Sequence, residues 1–437
     1  MTYICPECNQ EYDQYRQWCK PCNSTRFKNN FDKWTSGNSA IDKFIQEAQL
    51  SANIWKVIEW IPYDKFREVK QIAKGGYGTI YYAKWDDGYI DSWDIKNQRW
   101  KRFGRYQVAL KKFDSVVDIN EDFLHEMGIH LKANRIASTT LFGITQNPET
   151  QDYMMVLQYF KGGNLREYLN NNFNDIDWDF KLSYLSKLAE ELSEIHKLNI
   201  VHRDFHPGNI LKYSLQPNSN SICISDFGLS KLISENKKNP NSQNNIVTGV
   251  LPYIAPEVLI GREYTKAADV YSFAFIAYEI VTLLPPYHDV SHDKDLAFKI
   301  CNGLRPKIPF HIPKLITRII MRCWDARMSH RPTFDELDKE LDNYLGDYYE
   351  KNYKNSNEIT IQIKEAEKFS NNKTATTPAA NYKTHPQAIY SSRLLNFSNL
   401  PGPKNEVNFE KELEELSESF YQINTGGDDD DLDISNL

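Results

Sequence analysis

A handful of side chains in this 437-residue chain have the types and spacing to handle a phosphorylated nucleotide. Asp204 and Asn209 lie five residues apart in IVHRDFHPGN (Ile200 to Asn209), and Asp226 follows in ICISDFGLS. Phosphoryl transfer asks for little covalent chemistry from a protein. It needs a carboxylate to orient the attacking hydroxyl, and oxygen ligands to hold Mg²⁺ against the phosphates. Asp204 suits the first task; Asn209 and Asp226 suit the second. Upstream, Lys111 follows Val108, Ala109 and Leu110 in the strand-like run YQVALKKF. An ammonium on a semi-buried strand requires a carboxylate, and Glu126 in the helical pattern EDFLHEMGIHL can supply it. Before that, IAKGGYGTIYYAKW sets Gly75, Gly76 and Gly78 between two strand-like runs. Such a turn lets backbone N–H groups approach triphosphate oxygens without side chains in the way. Each residue alone could be an ordinary turn former or a solvated charge. All of them in this order argue for phosphoryl transfer.

The elements that must position these residues fall into four segments: 1–31, a cysteine array; 32–65, a helical connector; 66–345, alternating strand-like and helix-like runs; and 346–437, a polar and mostly disordered acidic tail. In the connector, Ser39 can cap a helix with Asp42 three residues on, and Ile41, Phe44, Ile45 and Ala48 share one face. Between Trp85 and Gln107 an insertion rich in Trp and Tyr is expected to extend the edge of the sheet. In the tail, Phe409, Leu413, Leu416 and Phe420 form one helical stripe. A transient helix is the plainer account of it, and a partner-docking helix (Phe409 to Phe420) the alternative. The net charge of −7 argues against bulk nucleic-acid binding. The N-terminus lacks the pattern of a signal peptide. The longest apolar run, SFAFIAYEIVTLL, carries Glu279 and is too short to span a bilayer. The expectation is a soluble cytoplasmic protein without membrane contact, with nuclear access left open.

Cys223, Cys301 and Cys323 are scattered among apolar residues, as small hydrophobes are. Cys5, Cys8, Cys19 and Cys22 instead form two C-x2-C pairs, which suit a tetrahedral Zn²⁺ better than a redox disulfide. So short a segment has almost no core, so the metal would hold it folded. Asn9 and Asn23 follow the pairs and tolerate the left-handed turn such knuckles need. Lys20, Arg26 and Lys28 beside Tyr12, Tyr15 and Trp18 could touch nucleic acid, but docking of a protein or autoregulation is the stronger expectation.

From about Phe66 to Leu345 the chain resembles the eukaryotic protein kinase domain, most closely its tyrosine-kinase-like branch. The resemblance rests on the glycine turn, V-A-L-K, the helix glutamate, H-R-D…N and D-F-G, followed by YIAPEVL, DVYSFAFIAYE and CWDARMSHRPTFDEL. It implies an α+β fold of two lobes, a small mainly β lobe and a larger mainly α lobe, beside a zinc-ribbon-like N-terminus and a disordered tail. It also implies ATP and Mg²⁺ as cofactors and proteins as substrates. By the same resemblance Glu257 should pair with Arg331, and Asp269 should brace the catalytic loop. Leu157 stands at the gatekeeper position, with Gln158 to Phe160 binding adenine. Ile72, Ile80, Ala109 and Leu211 should enclose the ring. The glycine turn departs from the family, since Ala73 replaces its first glycine; a negative φ would make that cheap.

His206 is a further departure. Serine/threonine kinases carry a lysine there, supported by a threonine where this chain has Val250. Aminoglycoside and choline kinases write H-x-D-x-H-P-G-N, but lack the A-P-E segment and its arginine partner, so a protein substrate is favoured. Either His206 serves as the donor to phosphate, with activity rising at lower pH, or substrate positioning is rearranged. The loop signatures of tyrosine kinases are absent, which favours serine/threonine. A tyrosine or dual-specificity kinase and a pseudokinase scaffold are the alternatives. Arg203 could receive a phosphate on Ser234, Ser242 or Thr248 of the activation segment.

Overall fold

In the computed structural model the described residues are 3–12, 18–53, 57–75, 78–112, 121–133, 139–213, 222–227, 230–232, 246–350, 357–371 and 382–424. Gly76, Tyr15, Gly228, Ser234, Ser242 and the acidic end of the tail lie outside them, as does the side chain of Phe420. The chain divides into two units, the first comprising 1–164, 194–202 and 209–232, the second 165–193, 203–208 and 233–437.

Alternating residues in the first unit build a six-stranded sheet. Its order is Glu59–Trp60, Leu141–Gln146, Tyr153–Gln158, Tyr106–Lys112, Thr79–Trp85 and Phe66–Lys74. The pairings are antiparallel except that of Glu59–Trp60 with Leu141–Gln146. The period of two sorts each strand between two cores. Val108 and Leu110 join Trp85, Phe142 and Val156 on one side. Ala109 turns to the other, where Ile41 and Ile45 of helix Ser39–Ser51 meet Phe123 and Met127 of helix Glu121–Ala133. The first of these helices is capped by Asn38, whose side chain accepts from the N–H groups of Ala40 and Ile41, and not by Ser39 as expected. Asp42 is instead taken by Ser36 and Thr35.

The insertion does not extend this sheet. It forms its own hairpin, Ile90–Asp94 with Arg99–Arg102. Its aromatic rings have another use: Trp100 stacks on Phe27 at 4.7 Å and on Trp18 at 5.8 Å, closing a small core with Ala52 and Ile90. The cysteine segment and the insertion thus supply each other's missing core.

The second unit is mainly helical. Helix Lys266–Thr282, which contains most of the long apolar run, is buried all round, as a helix without a polar face must be. Glu257 and Arg331 are buried and joined by two hydrogen bonds of 2.7 and 2.8 Å, as the resemblance implied. Helix Phe334–Tyr349 opens with a capping box from Thr333 and Glu336. Among the described residues no helix is long and apolar enough to cross a membrane.

Part of the stretch expected to be disordered is built into this unit. Residues Glu358–Asn371 form a helix with Ile359 and Ile363 buried. Arg393–Asn396 form a strand, and Phe409–Asn424 a helix that packs on Lys314–Cys323. The stripe therefore meets its own chain: Phe409 is buried, and Leu413 and Leu416 are partly so. Composition undercounts such segments because they add a few apolar anchors to a core made elsewhere.

Candidate active site

The candidate residues fall into one group in each unit. In the first, the strand Tyr106–Lys112 turns Lys111 to the face covered by helix Glu121–Ala133. Its Nζ donates to Glu126 Oε1 at 2.6 Å and to Asp226 Oδ1 at 2.7 Å. Burial alone would lower the lysine's pKa, but Asp226 and Glu126 together raise it above the ordinary range. The ammonium stays charged. Asp226 sits in a left-handed turn (φ 61°). Next to it, fully buried Phe227 meets His130 of the Glu126 helix edge-on at 5.1 Å, and His202 of the catalytic loop also at 5.1 Å. One ring thus ties the Asp226 turn to the element carrying Glu126. Asn209 is joined to the same turn through its carbonyl, which accepts from Ser225 N at 2.8 Å.

The glycine turn lies at the end of strand Phe66–Lys74. Gly75 N–H donates to Gly78 O at 2.9 Å. Ala73 belongs to the strand, paired with Ile80 and without a positive φ, so it replaces glycine at little cost. Leu157 pairs with Ala109, Gln158 N–H donates to Thr140 O, and Lys212 N–H to Gly163 O. Those bonds bring Leu211, bridged to Asn164, alongside the segment after Gln158. Ile72 is 44% exposed, Ile80, Ala109 and Leu211 are partly exposed, and Phe160 is buried. A buried ammonium held by two carboxylates, a glycine turn and accessible apolar side chains in one unit fit a nucleoside triphosphate. Asn209 and Asp226 offer the oxygen atoms that Mg²⁺ prefers.

The second unit holds Asp204 and His206, each about 6% exposed. Arg203 N–H donates to Asp269 Oδ1 at 3.1 Å, so Asp269 braces the loop. Arg203's guanidinium lies 5.7 Å from the Tyr264 ring. Gly208 N–H donates to His206 Nδ1 at 3.1 Å. That bond makes Nδ1 an acceptor, so the neutral imidazole carries its proton on Nε2. Nε2 faces the carboxylate, 3.7 Å from Asp204 Oδ2. A Cβ at 208 would stand 2.7 Å from His206 Cε1, so the imidazole would have to shift to admit one. The hydroxyl of Ser392, to which no motif pointed, donates to Asp204 Oδ2.

The four cysteine Sγ atoms all lie within 4.8 Å of one another, against about 3.8 Å between thiolates around one tetrahedral Zn²⁺. Cys5 to Cys22 is 3.8 Å and Cys8 to Cys19 is 3.4 Å. Burial works against ionising Cys5, yet backbone N–H groups at Glu7 and Cys8 bring its pKa down to about 7, while burial raises Cys19 and Cys22. The first pair makes the expected knuckle, with Asn9 left-handed at φ 57°. The second does not: Cys19 precedes helix Lys20–Lys28, and Asn23 is helical. Arg26 and Trp18 are engaged internally, Arg26 by Glu7 and the Trp93 ring, Trp18 by burial.

Comparison with known proteins agrees with this geometry. The sequence profile of the family described as protein tyrosine and serine/threonine kinase matches residues 66–341. Similar proteins include the serine/threonine-protein kinase VIK of Arabidopsis thaliana, 29% identical over 63% of this chain and 59% of that one. The serine/threonine-protein kinase pats1 of Dictyostelium discoideum is 27% identical over 64% of this chain and 8% of that one. A serine/threonine-protein kinase/receptor of Acanthamoeba polyphaga mimivirus is 29% identical over 63% and 15%. The match thus spans less than two thirds of each relative. With the profile covering most of the chain and the paired Lys111, Glu126 and Asp226 in place, the chain belongs to the protein tyrosine and serine/threonine kinase family.

Proposed function

We propose that the chain transfers the γ-phosphate of ATP to serine or threonine hydroxyls of proteins. The observation that carries this reading is the Ser392 hydroxyl donating to Asp204 Oδ2, with His206 Nε2 3.3 Å from the Ser392 Oγ. An aliphatic hydroxyl on a short side chain reaches the carboxylate, as a serine substrate would. Lys111, positioned by Glu126, would bind the phosphates, and the glycine turn would cover them. Mg²⁺ held by Asn209 and Asp226 would neutralise charge on the phosphate oxygens. Asp204 orients the attacking hydroxyl and takes its proton. His206 donates through Nε2 to the hydroxyl oxygen or the incoming phosphate, in the place of the family's usual lysine. The test is the purified chain with Mg²⁺, ATP and a mixed protein substrate, beside Asp204→Asn, with phosphosites located by mass spectrometry. Phosphoserine or phosphothreonine in the wild type alone is expected. Phosphotyrosine would overturn the specificity, and no transfer at all would overturn the activity.

We also infer that Cys5, Cys8, Cys19 and Cys22 hold a structural zinc, since their sulfurs already gather at nearly the spacing of a tetrahedral thiolate site. One equivalent of zinc by elemental analysis, lost in Cys5→Ser, is the expected result.

A further inference from the structure

Ser392 belongs to a length of chain held along the second unit on both sides of the catalytic carboxylate. Directly after it, Arg393–Asn396 pair antiparallel with Ile246–Gly249 of the activation segment, Gly249 opposite Arg393 and Thr248 opposite Leu394. Adding a strand to an exposed edge is how many proteins hold an extended peptide. Gly249 makes the close passage practicable: its φ is 144°, and a Cβ there would lie 3.1 Å from Ile254 Cδ1 and 3.4 Å from Asp204 Oδ1. Just before Ser392, Tyr390 O accepts from Arg166 Nη1 at 2.9 Å, and the Tyr390 ring lies 4.9 Å from the guanidinium. Arg166 is itself fixed by Glu279 at 3.2 Å and by the Tyr253 hydroxyl at 2.8 Å. Farther along, Lys404 N–H donates to Cys301 O, and Asn405 bonds Ala326 N and Asp325 Oδ1. The Ser392 hydroxyl meets Asp204 Oδ2 and Nε2 of His206. Its two polar neighbours are the candidate base and the candidate hydrogen-bond donor to the incoming phosphate.

We propose that Ser392 is an intramolecular phosphoacceptor: the segment around it lies in the substrate's place, excludes other proteins while unmodified, and leaves once phosphorylated. This rests on the kinase reading above and names that site's first substrate. In the transfer, Ser392 Oγ forms a bond to the γ-phosphorus of ATP. The bond from that phosphorus to the β,γ-bridging oxygen breaks, ADP departs with the electron pair, and the hydroxyl proton passes to Asp204. The product carries a charge of about −1.5 to −2. Beside the Asp204 carboxylate it is repelled, and the strand is released.

The test uses the full chain with Mg²⁺ and ATP, following the peptide that contains Ser392. The expected result is phosphate on Ser392 at a first-order rate independent of protein concentration. Added Asp204→Asn chain should stay unmodified at 392, and Ser391→Ala should label normally. Ser392→Glu should expose 389–396 to hydrogen exchange. It should also raise activity on a mixed protein substrate roughly tenfold, because a tethered competitor acts at millimolar effective concentration. Phosphate on other proteins but never on Ser392 overturns the proposal and leaves the kinase reading standing. Labelling of Ser392 in trans as fast as in cis, or a Ser392→Glu chain with unchanged exchange and activity, also overturns it. No phosphate on any protein, from wild type or Ser392→Glu, overturns both.

Discussion

The catalytic loop turns on a pair of residues two positions apart. His206 takes the place of a lysine, and Gly208 fixes which imidazole nitrogen faces the carboxylate by donating to Nδ1. Gly208→Ala would push a methyl group against the ring at 2.7 Å. Restoring an ordinary contact would shift the ring by up to about 1 Å, and a misplacement of that size at a reacting centre costs roughly 10²-fold in rate. The expected result is kcat lower by about that factor with the melting temperature nearly unchanged, checked by steady-state kinetics and calorimetry. Lys111→Met removes the cation between Glu126 and Asp226 and leaves a buried carboxylate unpaired. That should abolish turnover and destabilise the fold by about 3–5 kcal/mol, measurable by denaturant titration. Part of this was legible in the sequence: Glu126 meets Lys111 as its helical pattern led us to expect, whereas the bond from Lys111 to Asp226 was not foreseen. The imidazole tautomer was not, because it depends on one backbone N–H. Arg166 and Ser392 were also missed, since neither lies in a motif associated with the chemistry.

At the scale of elements, two segments that each looked under-equipped complete one another. The cysteine segment has four candidate ligands and almost no core, and the insertion has aromatic rings without an evident surface to cover. Stacking of Trp18 and Phe27 on Trp100 joins them. Chelation of the metal should therefore disturb residues of the insertion as well as of the ribbon. Hydrogen exchange is expected to rise together in 18–28 and 90–102, while the six-stranded sheet stays protected. Trp100→Ala should loosen the same two segments even with the metal bound, at about 2 kcal/mol, less than the loss of a fully buried ring. The sequence marked the insertion as rich in Trp and Tyr, but which surface its rings would cover could not be read from it. Stacking partners 73 residues apart, such as Phe27 and Trp100, leave no trace in local spacing.

Over the larger unit, the C-terminal stretch is held at several points. Asp325 joins Arg327 to Asn405 of that stretch. Burial would raise its pKa, but the bonds from Arg327 and Asn405 hold it below the usual carboxylate value. A group depressed in this way stabilises the folded form above its unfolded pKa, about 3.9, and that contribution fades as pH falls through the lower folded value. Protection of 404–410 against hydrogen exchange should therefore weaken on acidification below about pH 4, and Asp325→Asn should weaken it already at neutral pH. Asn405→Ala removes two hydrogen bonds, at about 0.5–1.5 kcal/mol each. If the anchor keeps the Ser392 segment in place, basal activity on added protein should rise several-fold.

The sequence by itself showed the motifs that resemble a protein kinase, and that resemblance implied the pairing of Glu257 with Arg331. The motifs are residue types at short spacing along the chain, whereas the pairing across 74 positions came from the resemblance they carry. Only the tertiary structure decided what lies against Asp204. Ser392 is 188 positions away, in a stretch whose composition suggested disorder. Its place is set by a strand pairing, one arginine and a few distant carbonyls, contacts whose energies depend on proximity in space and not on sequence pattern.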